Sequence, residues 1–161
     1  MTPSCNRRLM GRCVTLVVLA VVLPSCGPAE RLLTHPPATA RSPMELAQDP
    51  DGSFVFYVSN QSFAEPTVDI QVLIDGKTAV NHSFRVGDQH NWRKFVFALP
   101  QGKHTLKAVS SKGKAQLETE FTVGKKNWAV LDYWYSPENH DKDRSQRCFS
   151  FENRDKPIGF V

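Results

Sequence analysis

No run in this chain of 161 residues is apolar for long enough to cross a bilayer as a helix. The one concentrated apolar stretch, residues 14–23, is about half of the roughly 20 residues such a helix needs. Cysteine is scarce, with Cys5, Cys13, Cys26 and Cys148 the whole supply, so the disulfide framework of a small exported domain is not written here. There is no Gly-x-Ser-x-Gly elbow, no His-Glu-x-x-His, no paired-cysteine metal spacing and no glycine-rich phosphate loop. An excess of charge is missing too. The formal +4 owes three charges to Arg7, Arg8 and Arg12; beyond them Lys and Arg nearly balance Asp and Glu, which removes the electrostatic case for nucleic acid. The expectation is a protein that is not an enzyme, with no cofactor, no catalytic residue and no metal.

The N-terminus supplies an address. Three arginines and no acidic residue precede the apolar core, and that core has the length of a signal-peptide h-region. It then runs straight into "LPSC". This combination resembles the bacterial lipoprotein signal, with Leu23, Pro24 and Ser25 before an acceptor Cys26. The resemblance implies removal of residues 1–25, a diacylglyceryl thioether on Cys26 and acylation of the new N-terminus by chains such as palmitate. Acyl chains hold a soluble domain on a membrane at about 0.8 kcal/mol per buried CH₂, without a spanning helix. By the same resemblance Gly27, not being Asp, permits transfer to an outer membrane or cell surface. An uncleaved signal anchor or a short buried helix is the alternative. Arg7-Arg8 hints at a twin-arginine signal, but "LMGR" after it fits poorly and favours the general secretory route. On this reading Cys5 and Cys13 leave with the signal and Cys26 is lipidated, so Cys148 remains as a lone thiol, read as a small buried hydrophobe.

Residues 26–50 mix Pro, Ala, Thr and charge without period and read as a Pro-rich tether, within which "SPMELAQ" suits one helical turn capped by Ser42. From residue 51 the pattern becomes short alternating segments divided by turn signals, the signature of an all-β sandwich. Strands are expected at "SFVFYVSN", "TVDIQVLI", "TAVNHSFRV", "NWRKFVFAL", "HTLKAVS", "AQLETEFTV" and "NWAVLDYWY". Alternation places Val68, Ile70, Val72 and Ile74 inward, then Val80, His82, Phe84 and Val86, then Phe95, Phe97 and Leu99, and later Leu117, Phe121 and Val123. Asp75-Gly76 is the strongest hairpin signal in the chain. Residues 136–161 form a C-terminal extension that packs on the 51–135 sandwich, with Phe149, Phe151, Ile158 and Phe160 spaced to do so.

The run "FYVSNQSFAEPTVDIQVLIDGK", continued by "FALPQGKHTLKAV", resembles bacterial immunoglobulin-like modules of the fibronectin type III-like, cell-adhesion-related kind. That resemblance implies an immunoglobulin-like β-sandwich of seven to eight antiparallel strands and a non-catalytic binding role. It covers residues 52–123, and the segment beyond departs from it.

Candidate sites follow from the strand pattern. "QDPDGS" and "NHDKD" place carboxylates near turns, as a calcium site would, but neither follows the twelve-residue loop with its closing Glu, so they read as a plain turn and a solvated loop. His82, His90, His104 and His140 are scattered one to a segment, and an envelope hydrolase or metal-dependent enzyme would need them to converge with Asp residues. The stronger feature is aromatic. Trp128, Asp132 and Trp134 share one face of "NWAVLDYWYS", and Trp92 joins from the strand before Phe95. Amphipathic rings beside a carboxylate suit a peptide- or sugar-binding surface. Two arrangements remain open: a bare platform, or one covered by the C-terminal extension as an extra strand or flap. The functional expectation is a lipid-anchored module of the bacterial cell envelope that binds an envelope protein or glycan through Trp92, Trp128, Asp132 and Trp134. The alternative is an accessory subunit that pairs with a partner through a strand edge.

Overall fold

The computed structural model describes residues 44–86, 91–138 and 146–160; the signal segment, most of the tether, His90 and His140 lie outside them. Eight strands are formed: β1 (Phe54–Asn60), β2 (Thr67–Ile74), β3 (Lys77–Arg85), β4 (Arg93–Phe97), β5 (Gly102–Ser110), β6 (Ala115–Val123), β7 (Asn127–Trp134) and β8 (Cys148–Arg154). They make two four-stranded sheets, β4-β1-β7-β8 and β3-β2-β5-β6. No helix occurs among the described residues.

This order explains the immunoglobulin-like pattern and its departure. With β1 to β6 in the roles of strands B, C, C′, E, F and G, the second sheet is C′-C-F-G and the β1–β4 pair is B–E. The place of strand A is taken by β7. Every pairing is antiparallel except β1 with β7, which run parallel from Phe54↔Asn127 to Asn60↔Tyr133. The expectation of antiparallel strands throughout is corrected at that one ladder. Joining β6 at one end of the second sheet to β7 in the middle of the first requires a crossover, and the short "GKK" link delivers β7 in the same direction as β1.

The core lies between the sheets and is built by alternation. Val68, Ile70, Val72 and Ile74 of β2 are buried against Phe54, Phe56 and Val58 of β1 and Phe95 and Phe97 of β4. Phe121 reaches Phe54 at 5.1 Å and Phe151 at 5.6 Å between ring centroids, so β8 adds the buried Phe149 and the partly buried Phe151 to the core. The C-terminal extension is therefore in part a strand of the sandwich. Asp75-Gly76 makes the β2–β3 hairpin with φ of 49° and 75°, the positive pair a type I′ turn demands.

Two inward expectations for β3 fail. His82 and Val86 are exposed, although Val80 and Phe84 on the same strand are buried. β3 is an edge strand, and there His82 stacks 6.0 Å from the Phe95 ring while remaining exposed. The helical turn in "SPMELAQ" is also corrected over its described part. Glu45 forms a parallel bridge to Thr78, and Leu46 packs on the core. Apolar burial and pairing with an open strand edge outcompete a single turn of helix.

Residues 49–52 make the plain turn: the Gly52 amide donates to Asp49 O at 2.9 Å and the Asp51 amide to Asp49 Oδ1 at 3.0 Å. Gly52 lies so close to the backbone of β4 that a Cβ there would overlap the Phe97 carbonyl. Backbone cannot step aside as a side chain can. Gly52→Ala is expected to lower the urea midpoint by the equivalent of about 1–3 kcal/mol, and an unchanged midpoint would show that β1 and β4 are less tightly apposed than described.

Candidate functional site

The outer face of the β4-β1-β7-β8 sheet holds all four residues expected there. Strand alternation turns Val55, Tyr57 and Ser59 of β1 outward, with Trp128, Val130, Asp132 and Trp134 of β7 and Ser150 and Glu152 of β8. The parallel register sets Ser59 opposite Asp132, and the antiparallel one sets Ser150 on Asp132's other side. Three strands thus converge on one carboxylate.

Asp132 Oδ1 accepts two hydrogen bonds, from Ser59 Oγ at 2.6 Å and from Trp92 Nε1 at 2.9 Å. Ser59 Oγ in turn accepts from Gln61 Nε2 at 2.9 Å, so its orientation is fixed from behind. Trp134 Nε1 donates to Ser150 Oγ at 2.9 Å in the adjoining row. The carboxylate is thus bonded to one of the three tryptophans and flanked, one row away, by a second. Trp128 stands apart: it is four residues from Asp132 along β7, roughly 13 Å of strand, with Arg154 across from it on β8 and Lys126 6.0 Å from its ring.

The tryptophans are partly buried and do not form a bare platform. After β8 the chain turns back, and Phe160 stacks on Trp92 at 4.1 Å with 25° between planes while meeting Tyr57 edge-on at 4.9 Å. The C-terminal extension thus supplies both an extra strand and a flap. Tyr57, Ser59, Gln61, Ser150 and Glu152 belong to this surface and were not anticipated. Tyr57 and Ser59 were legible as the outward face of β1, but their nearness to Asp132 depends on the β1–β7 pairing, which no local pattern encodes.

Burial pushes the Asp132 carboxyl up to about 6 against the pull of its Ser59 and Trp92 hydrogen bonds, and the charge of Glu152 adds to the rise. Because the folded value lies above the ordinary carboxyl value of 3.8, the folded state holds a proton that the unfolded chain has released between these two pH values. Stability should therefore fall as pH rises from about 4 to about 6 and then level, by at most roughly 3 kcal/mol. Asp69 and Asp75, both lowered, act below this window, and His104, raised, acts above it. Urea midpoints across pH 4 to 6.5 should slope down in the native chain and flatten in Asp132→Asn; an identical slope in both would remove Asp132 as the cause.

The two described histidines lie on different strands, His82 on β3 and His104 on β5. His104 is buried and clips the sandwich corner, with Nδ1 to Asp75 Oδ2 at 2.6 Å and Nε2 to Pro100 O at 2.8 Å. Burial alone would lower its basicity, but the Asp75 carboxylate and Pro100 carbonyl together raise it, because both favour the doubly protonated ring. Asp75 Oδ1 also accepts the Thr105 amide at 2.8 Å, so the residues of the "DGK" and "HTL" motifs form one turn-stabilising unit. Among the described residues no group of three or more His, Cys, Asp or Glu side chains is placed to hold a metal ion.

Cys148 departs from the lone-thiol expectation. It is disulfide-bonded. No protein-family model, curated protein or solved structure matches the chain.

Proposed function

We propose that this chain is a membrane-tethered lipoprotein of the bacterial envelope, anchored through Cys26, whose immunoglobulin-like sandwich is a non-catalytic module that binds another envelope protein through the outer face of the β4-β1-β7-β8 sheet. The observation that carries the reading is the Trp92–Asp132–Ser59 unit. A sheet face turned to solvent gains little from a desolvated carboxylate held by an indole N–H, whereas a recognition surface gains a rigid aromatic plane beside a fixed polar group. Protein is favoured over glycan because the side chain seated on Trp92 is a phenylalanine, and Trp92 Nε1 is already engaged by Asp132.

Pairing through a strand edge has less to stand on. The edge of β3 is met by residues 44–46 at Thr78, and the Asp49 amide donates to Val96 O at the edge of β4. On the far side Asn153 Nδ2 closes onto Thr122 O at 2.9 Å.

The test is site-specific photocrosslinking in intact cells, with the reactive residue at Lys94 on the proposed face or at Gln116 on the opposite sheet. A discrete protein adduct from Lys94 alone, lost in Trp92→Ala, is the expected result. Equal adducts from both positions would sink the reading. Retention on cell-wall glycan that depends on Trp134 would reassign the partner class.

A further inference from the structure

The segment after β8 is attached to the sheet in an unusual way. Residues 157–160 continue no strand, and Pro157 lacks the N–H that a ladder would require. Among the described residues no backbone hydrogen bond ties residues 156–160 to the sheet. What holds the segment is the partly buried Ile158 and the ring of Phe160 against Trp92 and Tyr57, and that ring is still 39% exposed. Segments with so few buried contacts open at little cost.

The seat, by contrast, is fixed without the segment. The Trp92 indole is oriented by its bond to Asp132, Asp132 by Ser59, and Ser59 by Gln61. Tyr57 stands in the middle of β1, paired with Lys94 on one side and Val130 on the other. A rigid aromatic corner covered by a loosely held aromatic residue is a preorganised site with a local occupant.

From these observations we infer that the Tyr57–Trp92 corner recognises an extended segment of a partner protein carrying an aromatic side chain, and that Ile158-Gly159-Phe160 of this chain occupies the corner until it is displaced. The inference rests on the proposed binding face and specifies what that face takes. Lys94, exposed and directly across from Tyr57, adds a cation that suits an acidic or C-terminal carboxylate beside the incoming ring. The intramolecular occupant acts at an effective concentration in the millimolar range, so a free peptide with the same contacts competes poorly against the intact chain.

The probe is a dye-labelled peptide of the chain's own last six residues, "KPIGFV", titrated by fluorescence polarisation against the full chain and its variants. Phe160→Ala is expected to bind it at least about tenfold more tightly than the native chain does, because the local competitor has lost its ring. Adding Trp92→Ala should abolish that binding, with a urea transition retained as the control for folding. Equal affinity for native and Phe160→Ala chains, or binding that survives loss of Trp92, overturns the inference. No binding to Phe160→Ala overturns it too, while a crosslink from Lys94 would still stand and the wider face would remain the binding surface. Displacement of the peptide from Phe160→Ala by a cello-oligosaccharide, but not by unrelated aromatic peptides, would assign the corner to glycan and overturn it as well.

Discussion

Phe97→Ala is expected to destabilise the domain by about 3–5 kcal/mol, the range for removing a fully buried phenylalanine. Phe97 is 0% exposed and is paired across β4–β1 with Phe54, itself 0% exposed. Phe95 lies alongside at 6.4 Å between ring centroids, with the two planes 2° apart. The site has little means of collapsing into the space left behind. The Gly52 backbone already abuts the Phe97 carbonyl, and Phe54 is held from the other side by the parallel ladder to β7. Since domains of this size hold only about 5–15 kcal/mol in total, a loss of this order takes a large fraction of it. The neighbouring Val96 points to the outer face and is only partly buried, so Val96→Ala should cost less than about 1 kcal/mol. The pair of urea midpoints reads the strand's alternation directly. A cost below about 1 kcal/mol for Phe97→Ala would mean that the inward face of β4 has been misassigned.

That alternation is also where the sequence was most informative. β2 and β6 begin and end where the hydrophobic pattern and turn residues put them, at Thr67–Ile74 and Ala115–Val123. Both sit in a sheet made by hairpins and near neighbours, where local pattern and tertiary environment agree. The errors arise where long-range pairing decides. His82 has the parity of a core residue, but on an edge strand it stays exposed. Ser59 and Asp132 lie 73 positions apart and meet only because β7 enters the sheet beside β1 in the parallel sense. Phe160 was legible as an apolar residue that needed a partner, but alternation gives no clue that the partner would be Trp92, which lies outside any regular strand. Composition and parity supplied the inventory of the candidate face; only the topology assembled it.

Cys26→Ser should move the protein from the membrane fraction into the soluble one, and this is the largest redistribution that any single substitution here should produce. Two acyl chains on one thioether, at about 0.8 kcal/mol for each buried CH₂, hold far more strongly than any surface of the sandwich could. The N-terminal peptide of the mature protein should carry the mass of diacylglycerol on Cys26, read by mass spectrometry. Retention of Cys26→Ser in the membrane fraction would refute the lipid anchor. So would a mature N-terminal peptide that lacks acyl mass on Cys26.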